Sequence, residues 1–272
     1  MEKTIAFIGA GNMGGAIVRA VCRGLDPAQV IVYTPHKTTT DVLAAETGCC
    51  VAETAGEAVR SAKYVMLCVK PQVLPGVLRD LLPDFQAVKE HQVLTSIAAV
   101  LTLEDLSALL AGGGGHLPIV RVMPNTPAAI GEGLIFLAKD ELVSDEDCAE
   151  LEHLLRPCGT LEWTTEQYLD MGTAVAGCGP AFAYLFMEAL ADGGVQIGLP
   201  RAKAQRYAAQ MLAGAAQMVL QTGQHPGALK DAVCSPGGTT IAGVAELENR
   251  GFRAAAAQAV AAAYRRSLEL KK

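Results

Sequence analysis

The sequence predicts an α/β protein: a Rossmann N-terminal domain, doubly wound around a mostly parallel sheet, followed by an all-α C-terminal dimerisation domain. Three observations predict it. Short β-branched runs alternate with helical stretches through the first half. The first of these runs leads into a glycine-rich turn and then a helix. Past "TLEW" the strand pattern stops.

In order along the chain, "TIAFIGAG" is a strand opening a helix that runs through Cys22, and "VIVYT" is the second strand. A helix around residues 41–47 follows, then the strand "YVMLCV", a helix through Leu82 and the strand "QVLTSIAA". Strand, helix and strand at this rhythm imply parallel pairing through right-handed crossovers. "IVRVMPNTP" and "GLIFLAK" extend the sheet. A helix over residues 103–110 runs into "AGGGGH", residues 111–116, which reads as a flexible connection without site chemistry.

From Glu166 onward Ala, Met, Leu and Gln recur at helical spacing, interrupted by "GCGP", "ADGG", "GLP", "GQHPG" and "SPGG". Each interruption stops or starts a helix. The expected division is therefore 1–163, the strand–helix domain, and 164–272, an all-helical domain. Helices at 202–221 and 254–268 carry Ala on several faces, which suggests a helical dimer core. The apolar stretch "MGTAVAGCGPAFAYLFM", 171–187, is shorter than the roughly 20 residues of a membrane span and is broken by glycines and a proline. It reads as a buried helix pair.

Composition narrows the partners. At 272 residues there is room for two domains. A hydrophobic fraction of 51% with only 5% aromatics implies closely packed helices and more apolar surface than one small core buries, hence a homo-oligomer. A net charge of −6 offers no attraction to phosphate backbones, so nucleic acid is not an expected partner, and with no apolar stretch of spanning length neither is a membrane. The N-terminus enters a strand directly, without the pattern of a secretory signal, which points to the cytoplasm. The eight cysteines form no CxxC pair and the five histidines no metal-ligand spacing, so reduced core thiols and no metal site are expected.

Two stretches carry chemistry. "FIGAGNMG" places Gly9, Gly11 and Gly14 in a GxGxxG pattern between a strand and a helix. The first glycine permits a tight turn, the second a close approach to a pyrophosphate, and the third helix–strand packing, with phosphate at the helix N-terminus. About 20 residues on, where NAD-binding folds place a carboxylate for the ribose, the chain has "VIVYTPHK". Thr34, His36 and Lys37 suit a 2′-phosphate, favouring NADPH with NADH possible; a solvated polar turn is the alternative. "CVKP" (Cys68, Val69, Lys70, Pro71) and "SIAAV" (with Ile97, Ala98, Ala99) fall at carboxyl ends of strands, where ligands of this fold lie. Lys70 is either a catalytic acid or a packed stem paired to an acid. In "MPNTP", Asn125 and Thr126 suit a nicotinamide carboxamide or a structural turn equally.

The second stretch is "CSPGGTTIAG". Small residues running into a helix expose backbone N–H groups at its positive end, a place for an anion, and with the nucleotide phosphates already assigned that anion is a substrate carboxylate. Plain N-capping by Ser235 or Thr239 is the alternative.

Read in order, "FIGAGNMG", "VKP", "MPNTP", "GCGPAF", "ALADGGVQIGLPR", "QHPGALKD" and "VCSPGGTTIAGVAELE" resemble the Δ1-pyrroline-5-carboxylate reductase family over essentially the whole chain. The resemblance implies reduction of a cyclic imine carboxylate to L-proline with NADPH or NADH, the last step of proline biosynthesis. It further implies a homodimer interlocked through the helical domain, often in a ring of dimers. Residue by residue, it implies that Thr240 is catalytic, its hydroxyl hydrogen-bonded to the ring nitrogen, with Gly238 and Thr239 bringing N–H groups to the carboxylate. Glu166 and Cys178 resemble pocket-lining positions. Ile8, Gly9, Ala10, Gly11, Asn12, Met13, Thr34, Cys68, Val69, Lys70, Pro71, Ile97, Ala98 and Ala99 would surround the cofactor, and the partner's Rossmann domain would complete the carboxylate cradle.

Three positions depart from the family pattern: Cys178 where many relatives carry Ser, Ala55 where some carry Asn, and Ala232 where some carry a polar residue. They bear on cofactor preference and substrate affinity. A protonated imine is already electrophilic and needs orientation more than an acid–base pair, which fits the absence of a His–Asp arrangement. A β-hydroxyacid dehydrogenase would need a lysine on the first long helix of the helical domain, and none occurs between Glu166 and Leu199. A non-catalytic NADP-binding sensor would bind the cofactor without turnover.

Overall fold

The computed structural model describes residues 1–112 and 116–271. The centre of the "AGGGGH" connection, 113–115, lies outside the described residues. Strands β1 (Lys3–Ile8), β2 (Val30–Tyr33), β3 (Cys50–Val51), β4 (Ala62–Leu67), β5 (Val93–Ser96), β6 (Ile119–Met123), β7 (Gly133–Lys139) and β8 (Gly159–Trp163) form one sheet in the order β3-β2-β1-β4-β5-β6-β7-β8. Every neighbouring pair is parallel except β6 with β7. That exception follows from chain length: residues 124–132 are fewer than the dozen or so a parallel crossover requires.

Helices α1 (Asn12–Gly24), α2 (Lys37–Thr47), α3 (Ala55–Ser61), α4 (Leu74–Ala87), α5 (Leu103–Ala111) and α6 (Asp145–Leu155) accompany the sheet. Successive side chains of β1 serve two cores. Ile5 and Phe7 join Ile17, Val21, Tyr64 and Leu151, whereas Ala6 and Ile8 join Leu74, Leu78 and Leu106. Burial on both faces is why these strands read as apolar runs rather than alternations. Each fully buried Leu, Ile or Phe contributes about 1.5–3 kcal/mol of transfer free energy. Helix starts are fixed chemically: Thr102 with Asp105 and Ser144 with Asp147 form reciprocal capping boxes at α5 and α6, and Thr54 caps α3.

The remaining helices are α7 (Glu166–Gly172), a π turn (Thr173–Gly177), α8 (Gly179–Gln196), α9 (Arg201–Thr222), α10 (Pro226–Ala232), α11 (Thr239–Asn249) and α12 (Phe252–Leu270). The expected helices at 202–221 and 254–268 are α9 and α12. By compactness the chain divides into Met1–Gly177 with Tyr264–Lys272, and Cys178–Ala263. In the second unit α8 packs on α9 through small residues, a Cβ on Gly194 meeting that of Ala204 at 3.1 Å. Helices α10, α11 and α12 contain no buried residue.

The expectation of a buried helix pair at 171–187 is corrected. Glu166–Gln196 is long and apolar enough to cross a membrane by length and composition, and only 11% of its apolar 18-residue window is buried. Tyr184 and Leu185 are 56% and 68% exposed, because nothing within the described chain covers that face.

Candidate active site

The parallel strands end in register, Ile8 beside Tyr33 and Leu67, and Leu67 beside Ser96. The loops that follow are stitched to one another by backbone hydrogen bonds. Gly9 N donates to Tyr33 O at 2.8 Å, Cys68 N to Ile8 O at 2.8 Å and Ile97 N to Leu67 O at 3.1 Å. The sequence-selected segments after β1, β2, β4 and β5 thereby share one edge, at the switch between β1 and β4 where strand order reverses, the place where doubly wound sheets bind ligands.

The three glycines of the first motif play three different parts. Gly9 has φ +97°, and a Cβ there would stand 2.9 Å from Cys68 O. Gly14 is sealed against β4, since a Cβ would meet that of Cys68 at 2.8 Å. At Gly11 a Cβ would meet nothing within 4 Å. Gly11 is also the N-cap of α1, with no side-chain cap and no acidic residue in the first turn. An open approach to an uncapped, positive helix end fits a dinucleotide pyrophosphate.

Around this edge Thr34 is half-buried and its Oγ1 accepts from His36 N at 3.3 Å, folding the turn that presents the exposed His36 and Lys37. Lys70 is exposed, and its carbonyl accepts from Val73 and Leu74. Burial pushes the Cys68 thiol well above its ordinary range, so it packs as a neutral group beneath Gly14. Asn125 is committed to the fold: Nδ2 donates to Ala176 O at 3.0 Å and Oδ1 accepts from Leu134 N at 3.0 Å. Those bonds match the structural-turn alternative for this residue.

Glu166 opens α7, and its Oε1 accepts from Leu103 N, the first amide of α5, at 2.9 Å and from Arg121 Nη1 at 2.6 Å. Arg121, 1% exposed on β6, was missed by the motif reading. Its signal was a lone charge inside the apolar run "IVRVM". No group of His, Cys, Asp and Glu able to hold a metal occurs among the described residues.

In the second unit, Cys178 is partly buried at the N-cap of α8. Gly237 adopts φ +69° and Gly238 is the N-cap of α11. Gly238 N donates to Ser235 O at 3.0 Å, and no side chain caps the helix. Capping by Ser235 or Thr239, the alternative reading of this stretch, is therefore absent. Thr239 and Thr240 are exposed and the first turn carries no acid, so a helix of 11 residues presents a free positive end.

Comparison with known proteins adds the following. Residues 166–270 match the family described as pyrroline-5-carboxylate reductase dimerisation, and residues 4–100 match NADP oxidoreductase, coenzyme F420-dependent. The pyrroline-5-carboxylate reductase of Escherichia coli (strain K12) is 40% identical over 274 residues, covering 100% of both chains. That of Glycine max is 42% identical over 269 residues, 98% of this chain and 96% of the other. The crystal structure of Plasmodium falciparum pyrroline carboxylate reductase with NADP bound superposes with a TM-score of 0.88 at 30% identity, covering 100% of each chain.

Proposed function

The chain belongs to the pyrroline-5-carboxylate reductase family, and on that premise we propose how its residues carry the family's reaction, the NADPH-dependent reduction of the C=N bond of Δ1-pyrroline-5-carboxylate to give L-proline. One observation carries the assignment of the substrate end: the N-terminus of α11 is left without a side-chain cap in a chain whose nucleotide phosphates already have an open, uncapped terminus at α1.

The residues in place fit the cofactor. The Gly9, Gly11 and Gly14 turn and the first amides of α1 would hold the pyrophosphate, and Thr34, His36 and Lys37 would hold the 2′-phosphate. Cys68, Val69, Lys70 and Pro71, with Ile97, Ala98 and Ala99, would wall the nicotinamide. NADPH, when bound, supplies the hydride for the imine carbon. Gly238 and Thr239 orient the substrate carboxylate through backbone N–H groups. The Thr240 hydroxyl accepts the ring N–H of the protonated imine, which fixes the ring face. Glu166 and Cys178 are further candidate substrate-binding residues. Hydride addition to the protonated imine leaves a neutral secondary amine, which takes a proton from water without a dedicated acid.

Assembly follows from exposed apolar surface. The match to a dimerisation family indicates a homo-oligomer, and a homodimer is the form proposed. Tyr184, Leu185, Met211, Leu220 and Leu247 are exposed, and α10, α11 and α12 bury nothing by themselves. A second copy covering α8 to α12 accounts for that surface and for the apolar run Glu166–Gln196 without a membrane. A division of labour at 163/164 is supported by the family match beginning at residue 166. A cytoplasmic location is supported by eight free thiols among the described residues. The direct test is oxidation of NADPH and NADH, followed by nicotinamide absorbance, with Δ1-pyrroline-5-carboxylate and a hydroxyacid panel. Imine-dependent oxidation supports the reading, and cofactor binding without turnover overturns it.

A further inference from the structure

Arg121 is the largest fully buried side chain among the described residues. Its guanidinium spreads over three groups: Nη1 to Glu166 Oε1 at 2.6 Å, and Nη2 to Ala99 O at 3.3 Å and Asp170 Oδ1 at 3.4 Å. Asp170 in turn pairs with Lys271. The Nε of Arg121 is buried without a hydrogen-bond partner. Stability alone is a weak reason for such a cluster, since buried ion pairs are often matched or exceeded by apolar side chains of similar volume, and a buried donor left unpaired adds a cost.

What the cluster does hold is a loop. Glu166 Oε1 also accepts the amide of Leu103 at 2.9 Å. The Arg121–Glu166 pair therefore grips the segment after β5 at two points, the carbonyl of Ala99 and the amide of Leu103. At its start the same segment is held by Ile97 N to Leu67 O at 3.1 Å and Ala98 N to Ser96 Oγ at 3.3 Å. Between these ties Ala99 is exposed at the nucleotide edge of the sheet.

We propose that Arg121 is a positioning residue that clasps residues 99–103 through Ala99 and Glu166, coupling the nicotinamide wall to the pocket residue Glu166. The inference rests on the reading that residues 97–99 flank the nicotinamide. Only a planar fork reaches both acceptors at once; a lysine ammonium has the charge but not the span.

The test is NADPH affinity of the full-length protein without substrate, read from nicotinamide fluorescence, together with kcat and KM for NADPH in imine reduction. Arg121→Lys is expected to weaken NADPH binding by about tenfold, the scale of one hydrogen bond to a charged group. Its KM for NADPH rises more than its kcat falls. Glu166→Gln loosens the same clasp, and the double variant is no weaker in NADPH binding than the worse single one. Asp170→Asn, on the outer arm, lowers thermal stability but leaves NADPH affinity unchanged. A folded Arg121→Lys with wild-type NADPH affinity overturns the proposal, as does equal weakening by Asp170→Asn. Should Arg121→Lys not fold, unchanged affinity in Glu166→Gln overturns it. Wild-type protein that binds NADPH but reduces no imine would defeat the proposed function while leaving this measurement intact.

Discussion

Replacing Gly11 and Gly14 separately by alanine tests whether the first motif is a nucleotide cradle or only a tight turn. At Gly14 the new Cβ lies 2.8 Å from both Cys68 Cβ and Gly9 O. Both neighbours are anchored in the backbone of the β1–β4 pair, so the contact is relieved only by moving α1 off the sheet. Overpacking of this kind costs about 1–3 kcal/mol, and the helix-interior gain of Ala over Gly returns roughly 0.5–1 kcal/mol. The net loss lowers Tm by roughly 2–4 °C for each kcal/mol lost. Gly11 differs on every count: φ is −66°, ψ is −165°, and the Cβ meets nothing within 4 Å. The entropy removed from the unfolded chain is worth about 0.4–1 kcal/mol and is offset by the poorer capping of Ala, so Tm hardly moves. That Cβ instead occupies the approach to the free amides of α1, and NADPH affinity should fall by about tenfold or more, roughly 1.4 kcal/mol. Scanning calorimetry of the apo-protein and NADPH fluorescence titration separate the two effects. Gly11→Ala with wild-type affinity, or with a Tm loss equal to that of Gly14→Ala, would refute the cradle.

Thr240→Ala should lower kcat/KM for the imine by about tenfold or more through loss of a hydrogen bond to a charged group, with NADPH affinity unchanged; intact steady-state kinetics would remove Thr240 from the reaction. Leu185→Asp places a charge on the exposed face of α8 and should shift sedimentation from dimer toward monomer, whereas an unaltered dimer would move the interface elsewhere. Burial pushes the Cys158 thiol up to about 12, against roughly 8.5 when unfolded. A raised folded value means its stabilisation is complete below about pH 8.5 and is lost as pH rises toward 12. Urea midpoints should therefore fall between pH 8.5 and 10.5, less steeply in Cys158→Ala; rapid labelling of Cys158 in the native protein at pH 8 would contradict this.

The sheet and its nucleotide edge were legible because their causes are local. β-branched runs, capping residues such as Thr102 and Ser144, and the steric demands at Gly9 and Gly14 act within a few residues of themselves. Gly11 was legible for a related reason, since a small residue before a helix leaves its amides free. Three features were decided only in three dimensions. The reversal of β7 depends on what the connection from β6 can span. A capped and an uncapped start look alike in the string around Ser235 and Thr239, and only the backbone, with Gly237 at φ +69°, leaves α11 uncapped. Arg121 meets Ala99, Glu166 and Asp170 across separations no local pattern encodes.

By itself, then, the sequence determined most of the strand and helix starts, because those depend on short-range sterics and on hydrogen bonds between near neighbours. The tertiary structure decided which charges share a buried site, and it left the apolar face of α8 bare. Burial and pairing depend on what the rest of the chain, or a second copy of it, brings into contact.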